Sequence, residues 1–389
     1  MSNGFSITSA VPTYGPELRA TRRVMTGITG FVGSHFAHHC WRAGNAPIAL
    51  TRASSDAAAR ERMNDSLRAC ARSLGEDTAF EAARPLVLAA DLTQPSCGVT
   101  GEDLARLRRA EPQQFWHFAA SLRYEDKHRQ EIFASNLEGT KHALELARKS
   151  GCEMFVYVST AYTAGRKCGV IEEQLHAPTV GFNNAYEDSK SQAEHAVAEF
   201  CEREQLRFAI LRPSIVIGPY STKSSGGSST GLYGFVREIC RVARALRAWG
   251  RPIEFRGDPR TLCNLIPVDW FVDDVLAVVE EGLRSDGIYH HTCDHPLTIT
   301  QVCDVVAGAL DIPGLVFEPS SASLSPLEER LARRISFYGS YFWNSKSFLR
   351  QRPSARELGV ADLADYVRGF LRELGTPTLS AATAHDIGA

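Results

Sequence analysis

Residues 26–33 read TGITGFVG and follow a short apolar run. Gly27, Gly30 and Gly33 allow the backbone to turn tightly and to approach a pyrophosphate, whose charge then faces the N-terminus of the following helix. The G-x-x-G-x-x-G spacing is one residue wider than the G-x-G-x-x-G dinucleotide fingerprint. The stretch therefore predicts the first strand-turn-helix unit of a nucleotide-binding fold.

The sequence around this turn supports the same fold. From residue 22 to about 300, short β-like runs alternate with helical ones, the pattern of a doubly wound parallel sheet. The predicted strands are VMT (24–26), PIALT (47–51), PLVLAAD (85–91), QQFWHFAAS (113–121), CEMFVYVST (152–160), RFAILRPSIVIG (207–218) and GIYHHTC (287–293). We also predict a long helix from Asp126 to Lys149 and a helix that carries Tyr186 and Lys190. The Gly/Ser-rich residues 218–231 predict a mobile loop or a plain linker.

These patterns predict an α/β protein with a Rossmann-type doubly wound sheet and a smaller, mostly helical C-terminal substrate-binding region. The expected parts are an N-terminal extension (1–21), an NAD(P)-binding domain (22–217, with a return segment at about 262–300), a substrate-binding region (218–261 and 301–375) and a C-terminal tail (376–389).

Composition argues against several classes of protein. The 389 residues include 43 basic and 45 acidic ones, and the net charge of −2 gives no electrostatic case for a nucleic-acid partner. No apolar run approaches the ~20 residues that a membrane helix requires. The first twenty residues lack the basic start and apolar core of a secretory signal, so we expect a cytoplasmic protein without an integral membrane segment.

The cysteines and histidines do not predict a metal site. None of the ten cysteines forms a C-x-x-C pair, which favours free thiols in a reducing cytoplasm. His291, Cys293 and His295 alternate in HHTCDH and could share one face of a strand. A fourth ligand with recognisable spacing is missing nearby, so we expect no metal.

Two side chains bear on the choice of cofactor. NAD-selective enzymes place an acid at the end of the second strand to hold the ribose 2′-hydroxyl, but this chain has Arg52 there. An arginine could instead bind a 2′-phosphate, which favours NADPH over NADH; the alternative is a solvent-facing arginine. Asp91, at the end of the third strand, could accept a hydrogen bond from the adenine amino group or could cap a helix.

Tyr186 and Lys190 have the spacing of a proton donor and its charge partner. Four residues apart on one helix, they share a face. A free tyrosine has a pKa of ~10, and a nearby ammonium should lower that pKa towards neutrality. Lys190 could also hold the nicotinamide ribose, while Thr160 could bind the substrate oxygen. Asn136 could hold a water that links Lys190 to solvent, or could be a structural tie within its helix.

At this point the sequence resembles the extended short-chain dehydrogenase/reductase superfamily, from about Val24 to Leu374. The landmarks, in order, are TGITGFVG, ADL, HFAAS, NLEGT, VSTAY, YEDSK and LRPSIVIG. The resemblance implies that Thr160, Tyr186 and Lys190 are the catalytic trio, with Asn136 in support. It also implies that Pro213, Ser214 and Ile215 border the nicotinamide amide. In all, we expect these residues to contact the cofactor: Thr26, Gly27, Thr29, Gly30, Phe31, Val32, Gly33, Arg52, Asp91, Leu92, Ala119, Ala120, Lys190, Pro213, Ser214 and Ile215.

Within the superfamily the sequence looks most like the male-sterility branch, which comprises fatty acyl-CoA reductases and thioester reductase domains. AASLRYED is similar to the branch's AA…RF segment, and LIPVDWFVDDVL to its lvPvDyvv segment. The resemblance implies NADPH-dependent reduction of a CoA-bound or carrier-bound thioester, or of a small-molecule aldehyde. Arg123, Tyr162 and Arg237 are candidate substrate-binding residues. The superfamily often dimerises, which makes a homodimer possible.

Other functions share these motifs. A ketone or alcohol oxidoreductase, or a nucleotide-sugar epimerase or dehydratase, would have the same core. Arg237, Arg241, Arg244 and Arg247 repeat at helical spacing and could bind a phosphate, or could form a solvated helix face. A non-catalytic NADP-sensing protein is a third hypothesis, but such proteins typically lose the Tyr–Lys pair that this chain retains.

Overall fold

The computed structural model describes residues 21–76, 85–280, 287–318 and 324–375. Its strands are β1 (Arg23–Thr26), β2 (Ile48–Thr51), β3 (Val87–Ala89), β4 (Gln114–His117), β5 (Met154–Val158), β6 (Gly169–Ile171), β7 (Arg207–Pro213), β8 (Ile215–Ile217), β9 (Ile253–Arg256), β10 (Leu262–Cys263), β11 (Leu265–Pro267), β12 (Gly287–His291), β13 (Leu297–Thr298), β14 (Leu315–Glu318) and β15 (Lys346–Phe348).

The α-helices are α1 (Phe31–Arg42), α2 (Asp56–Ser73), α3 (Gly101–Arg109), α4 (Arg129–Phe133), α5 (Gly139–Ser150), α6 (Ala185–Glu204), α7 (Leu232–Trp249), α8 (Val268–Glu280), α9 (Ile299–Leu310), α10 (Pro326–Arg334), α11 (Ser336–Gly339) and α12 (Val360–Glu373). A π-helical turn, Ala134–Glu138, joins α4 to α5.

The central sheet confirms the predicted Rossmann-type fold. Its seven strands run in the order β12-β7-β5-β4-β1-β2-β3, and all neighbours are parallel. The chain winds outward from β1 in one direction and from β4 in the other. The carboxyl ends of these two strands flank the switch point, where open α/β sheets bind their ligands.

Alternate residues of each strand pack into two hydrophobic cores. Met25 and Trp116 face the core under α1, α2 and α8, whereas Val24 and Phe115 face the core under α3, α5 and α6. This arrangement buries both faces of the sheet, which explains why its strands read as nearly continuous apolar runs. A third core lies among α7, α9, α12, β9 and β14 in the C-terminal half.

One strand differs from its sequence-based prediction. The run 207–218 is not one strand, because the chain leaves the main sheet after Pro213 and β8 pairs with β11 instead. Residues 218–231 contact two helices: the Thr222 hydroxyl donates to the Ser73 carbonyl at 2.7 Å, and the Ser225 amide donates to Glu373 at 2.9 Å. Whether they form a mobile loop or a plain linker stays a prediction. The proposed extension and tail lie outside the described residues, except for Thr21.

Candidate active site

The glycine turn approaches the end of β4 so closely that only glycine fits. Gly27 has a φ of +74°, and a Cβ atom there would lie 2.5 Å from the backbone nitrogen of Ala119. A Cβ at Gly33 would lie 2.2 Å from the carbonyl oxygen of Gly27, so α1 packs directly on the turn. The Gly30 amide donates to the Gly27 carbonyl at 3.0 Å. The turn is therefore built for close approach of backbone to a ligand.

The N-terminus of α1 suits a dinucleotide. Gly30 precedes the helix and has no side chain to cap it, and the first turn, which begins with Phe31 and Val32, contains no acidic residue. Its backbone N–H groups and positive dipole end therefore suit a pyrophosphate. Together with the turn at Gly27, this shape fits a nicotinamide dinucleotide. Thr29, within the turn, is half-buried.

A chain of hydrogen bonds links the glycine turn to the helices beyond β4. The Thr140 hydroxyl donates to the Asn136 carbonyl at 2.6 Å, so it must accept from Nε2 of His117, 3.1 Å away. Nδ1 of His117 then accepts from the Thr26 hydroxyl at 2.7 Å. Burial, and secondarily the charge of Lys190, lowers the pKa of His117 to about 3, which agrees with a neutral ring.

The π-helical turn directs the Asn136 side chain at the site. Its amide nitrogen donates to the Ser121 carbonyl at 3.1 Å and to the Ser189 hydroxyl at 3.0 Å, while its oxygen accepts from the Ser121 amide at 2.7 Å. Asn136 is thus a structural tie, but between the end of β4 and α6 rather than within its own helix. π-turns are frequent at functional sites, and the water-holding role of Asn136 stays a prediction.

Lys190 lies at the carboxyl end of β5. Its ammonium donates to the Val158 carbonyl at 2.7 Å and lies 4.1 Å from the centre of the Tyr157 ring. The side chain is almost fully buried, at 2% exposed. Burial lowers the pKa of Lys190 to about 7, although the nearby carboxylate of Glu194 opposes this change.

The pKa of Tyr186 is raised, not lowered, which corrects the sequence-based expectation. Burial of the phenol is the main cause, and the negative charge of Glu187 adds to it. Lys190 does not reverse this rise: burial lowers the pKa of its own ammonium, which donates a hydrogen bond to the Val158 carbonyl. The protein groups alone therefore keep Tyr186 protonated at neutral pH.

The buried ammonium of Lys190 should make stability depend on pH. An unfolded lysine keeps its ordinary pKa of ~10.4, so from about pH 7 upward the unfolded state binds more protons and stability rises with pH. Between about pH 7 and 8.5 the gain should be at most about 2 kcal/mol, and Lys190→Met should lose it. Urea unfolding at both pH values measures the effect. Lys141→Met, at an exposed ion-paired lysine, is the control; an unchanged pH dependence in Lys190→Met would contradict the assignment.

Thr160 follows β5 and begins the turn against which α6 packs. Its side-chain oxygen accepts from the Tyr162 amide at 3.3 Å, which leaves its own proton available to a ligand. The neighbouring Ser159 hydroxyl is buried and has no partner among the described residues. The structure therefore brings Thr160, Tyr186 and Lys190 to the same end of β5.

Sequence reasoning missed a buried charge network behind Lys190. Glu194, one further turn along α6, receives two hydrogen bonds from Arg212 of β7, at 2.8 and 2.6 Å. The Thr163 hydroxyl donates to the same carboxylate at 3.5 Å. The spacing of Tyr186, Lys190 and Glu194 at i, i+4 and i+8 was the available signal. This network fixes α6 against β7 and the turn after Thr160.

The C-terminal half also contacts the start of α6. The Tyr341 hydroxyl donates to the buried Glu187 carboxylate at 2.6 Å, and Asn184 donates to Tyr341 at 3.1 Å. Asn344 donates to Asn183 at 3.0 Å. The segment that contains Tyr341 therefore fixes the residue next to Tyr186, and no local sequence pattern could have indicated so distant a contact.

The predicted cofactor-selecting residues lie past the ends of β2 and β3. Arg52 is exposed, and its carbonyl accepts a hydrogen bond from Arg62, a second arginine that the sequence did not single out. Asp91 accepts from the amide and hydroxyl of Thr93, at 3.0 and 2.8 Å, so it caps its own turn. The adjacent Leu92 carbonyl bonds to His142 at 2.7 Å. The adenine contact of Asp91 remains a prediction.

The remaining cofactor candidates follow β4 and β7. Ala119 and Ala120 lie directly after β4, beside Gly27, and are half-buried. Pro213 ends β7, and the Ser214 hydroxyl is buried without a partner among the described residues. Because β4, β5 and β7 are neighbouring parallel strands, the residues that follow them lie with Lys190 at the carboxyl-terminal end of the sheet. Ile215, which comes next, begins β8.

The candidate substrate residues are less closely grouped. Arg123 is exposed and pairs with Glu131. Tyr162 packs edge-on against Tyr341, with ring centres 5.4 Å apart. Arg237 lies on α7, outside the Rossmann sheet.

No metal centre or membrane span is visible in the described ranges. No group of three or more potential metal ligands, His291, Cys293 and His295 included, is close enough to hold an ion in the part of the chain that the structure covers. Likewise, no helix in that part is long and apolar enough to cross a bilayer. All ten cysteines are free.

Comparison with known proteins identifies the family. The profile of the family described as "Male sterility protein" matches residues 25–275. The "Probable fatty acyl-CoA reductase 4" of Arabidopsis thaliana is 22% identical over 371 residues, which cover 77% of this chain and 73% of that protein. "Fatty acyl-CoA reductase 1" of Xenopus laevis is 27% identical over 301 residues, or 67% of this chain and 55% of that protein. This chain thus spans about half to three quarters of these relatives.

Among solved structures, the terminal R domain of the myxalamid PKS-NRPS pathway superposes with a TM-score of 0.71, at 20% identity and 91% coverage of both chains. MoeE5, solved in complex with UDP-glucose and NAD, superposes with a TM-score of 0.58 at 18% identity, over 91% of this chain and 99% of that one. These similarities show the fold, and the family match covers more than half of the chain. The chain therefore belongs to the male-sterility branch of the extended short-chain dehydrogenases/reductases and is an NAD(P)-dependent oxidoreductase.

Proposed function

We propose that this chain is an NADPH-dependent reductase that acts on an acyl thioester or the derived aldehyde, with Tyr186 as the proton donor. The observation that carries the proposal is the placement of α6. It brings the Lys190 ammonium to 2.7 Å from the Val158 carbonyl, at the carboxyl-terminal end of the sheet, where Thr160 and the turn at Gly27 also lie. The two fatty acyl-CoA reductase relatives support a thioester as the substrate.

Each residue then has a defined task. A reduced nicotinamide, when bound, supplies a hydride to the carbonyl carbon. Thr160 donates a hydrogen bond from its free hydroxyl to the carbonyl oxygen and holds that oxygen in place. Tyr186, which burial keeps protonated, donates its proton to that oxygen as negative charge develops there. With a thioester the product is a hemithioacetal, whose loss of thiol leaves the aldehyde.

We propose a matching division of the chain. Residues 22–217 and the return segment 262–300 bind the nucleotide, and residues 218–261 and 301–375 bind the substrate. The separate hydrophobic core of α7, α9 and α12 supports this division, because it packs apart from the two cores of the sheet.

The choice of NADPH is supported by Arg52, which directly follows β2, and by Arg62 of α2, whose guanidinium donates to the Arg52 carbonyl. We expect Arg52→Ala to raise the KM for NADPH about 10- to 100-fold, the loss of a charge-assisted phosphate contact, with little change for NADH. Initial rates with each cofactor measure the effect. Arg72→Ala, at the opposite end of α2, is the control. Equal losses with both cofactors would remove the basis for NADPH selectivity.

The proposed reaction is tested by following NADPH absorbance with acyl-CoA thioesters, aldehydes and ketones, in parallel with NAD-linked assays on alcohols and nucleotide sugars. We expect NADPH oxidation with thioesters or aldehydes. Activity confined to NAD-linked alcohol oxidation, or to epimerisation of a nucleotide sugar, would contradict the proposal and favour the other branches of the superfamily.

A further inference from the structure

Arg237 stands apart from the other arginines of α7. Its Nε atom is buried and has no hydrogen-bond partner among the described residues. In contrast, Arg241 pairs with Glu238, and Arg247 donates to the Leu310 carbonyl at 2.7 Å. Glu238 also pairs with Arg334 at 3.1 Å, so the nearest acid in sequence is already engaged. Within the described ranges, no ion pair or hydrogen bond of the Arg237 side chain is found.

Two tyrosines lie near this guanidinium. The Tyr338 hydroxyl donates to the Gly231 carbonyl at 3.1 Å, one and a half turns before Arg237 on α7. The positive charge of Arg237 partly offsets the rise that burial causes in the pKa of Tyr338 and in that of Tyr124. Both phenols, Tyr124 and Tyr338, therefore lie near Arg237.

A row of aromatic rings leads from Tyr124 to Tyr162, in the turn that follows Thr160. Tyr124 stacks on Phe337 with ring centres 3.7 Å apart, and Phe337 packs against Tyr341 at 5.6 Å. Tyr341 packs on Tyr162 at 5.4 Å, two residues beyond Thr160. Arg237 is thus at one end of the row, and the proposed reacting centre is at the other.

The start of α7 adds to the positive character of this end. Gly231 provides no side-chain cap, and the first turn of the helix contains no acidic residue. The positive dipole end of α7 is therefore not neutralised by its own sequence. An unpaired, partly buried guanidinium is costly unless an anion joins it, and phosphate matches its planar fork of donors.

We propose that Arg237 binds the phosphate of a phosphopantetheine arm, whose thioester end lies at Thr160 and Tyr186. The inference rests on the proposed function, since it specifies the substrate of that same site. The phosphopantetheine phosphate is common to coenzyme A and to carrier proteins, so the recognition applies to both sources. The amide-containing part of the arm would lie along the row of rings between Tyr124 and Tyr162.

The test compares two substrates that differ only in this phosphate, an acyl-pantetheine and the same acyl-4′-phosphopantetheine. In the unmodified enzyme we expect kcat/KM to be about 10- to 100-fold higher for the phosphorylated substrate, the worth of one charge-assisted contact. Arg237→Met should abolish this ratio by raising the KM for the phosphorylated substrate. Arg237→Lys should keep part of it. Arg241→Met, one turn further along α7, is the matched control and should leave the ratio unchanged.

Two further arms separate the possible failures. Acyl-CoA should show the same dependence on Arg237; a dependence seen with acyl-CoA alone would overturn the assignment to the pantetheine phosphate. Calorimetric titration of pantetheine and phosphopantetheine into the unmodified protein and Arg237→Met requires no turnover. A phosphate preference that Arg237→Met removes supports the inference even where thioesters are not reduced and the proposed function fails. An equal preference in both proteins overturns the inference alone.

Discussion

Tyr186→Phe is expected to lower turnover about 10²- to 10⁴-fold with every reducible substrate, the range for removal of a general acid. The substitution removes one hydroxyl and leaves the ring in place, so the packing of α6 should be preserved. Cofactor binding should also survive, because neither the glycine turn nor Arg52 is altered. Initial rates of NADPH oxidation, together with fluorescence titration of NADPH, measure the two effects separately.

Tyr289→Phe is the matched control, since Tyr289 lies on the outermost strand β12. It should retain nearly full activity. Full activity in Tyr186→Phe would remove the proposed acid and require another proton donor. A loss of cofactor binding in parallel with activity would instead indicate a structural role for the hydroxyl.

Gly27→Ala is expected to damage both stability and cofactor binding. The φ of +74° costs an alanine roughly 1–2 kcal/mol, and its Cβ would lie 2.5 Å from the Ala119 nitrogen. Relieving that overlap requires a shift of backbone, which typically costs another ~1–3 kcal/mol. Because the turn that moves is the proposed phosphate cradle, NADPH should no longer raise the unfolding temperature. Thermal unfolding with and without NADPH measures both losses.

Gly44→Ala isolates the conformational part of this effect. Gly44 has a similar φ of +78°, but apart from its chain neighbours no atom of the described residues lies within 4 Å of the position its Cβ would take. The free energy of unfolding of Gly44→Ala should fall by only the roughly 1–2 kcal/mol that a left-handed alanine costs, and NADPH should still stabilise the variant. Equal behaviour of the two variants would show that the close approach to β4 has no role in binding.

Much of the fold could be read from local sequence patterns. The strands at Val24, Ile48 and Phe155, and the helix that carries Tyr186, follow from apolar periodicity together with turn residues. The glycine turn was recognisable because its chemistry is local: Gly27 must adopt a positive φ, and its neighbours must lack bulk. The family resemblance came from these same local motifs.

Other features depend on contacts that are distant in sequence. Pro213 ends a strand because the chain crosses to β11, a pairing that residues 207–218 do not encode by themselves. The π-turn at Asn136 looks like ordinary helix in the sequence, although it decides where the amide points.

The pKa of Tyr186 could not be predicted from the sequence for a different reason. The spacing of Tyr186 and Lys190 predicted a charge interaction, but burial outweighs it and raises the pKa of the phenol. The Glu187 charge, which adds to this rise, is itself hydrogen-bonded by Tyr341, about 150 residues away in the sequence. Helical spacing therefore identified the pair but could not give the balance of desolvation and charge.

The most direct test of the proposed reaction is the release of free thiol from an acyl-CoA in the presence of NADPH. Reduction of a thioester must liberate its thiol after the first hydride, whereas reduction of a ketone or an added aldehyde liberates none. We expect thiol release in step with NADPH oxidation, and near-complete loss of both in Tyr186→Phe. NADPH oxidation without thiol release from any thioester tested would contradict thioester reduction, and unchanged thiol release in Tyr186→Phe would contradict the role of the tyrosine.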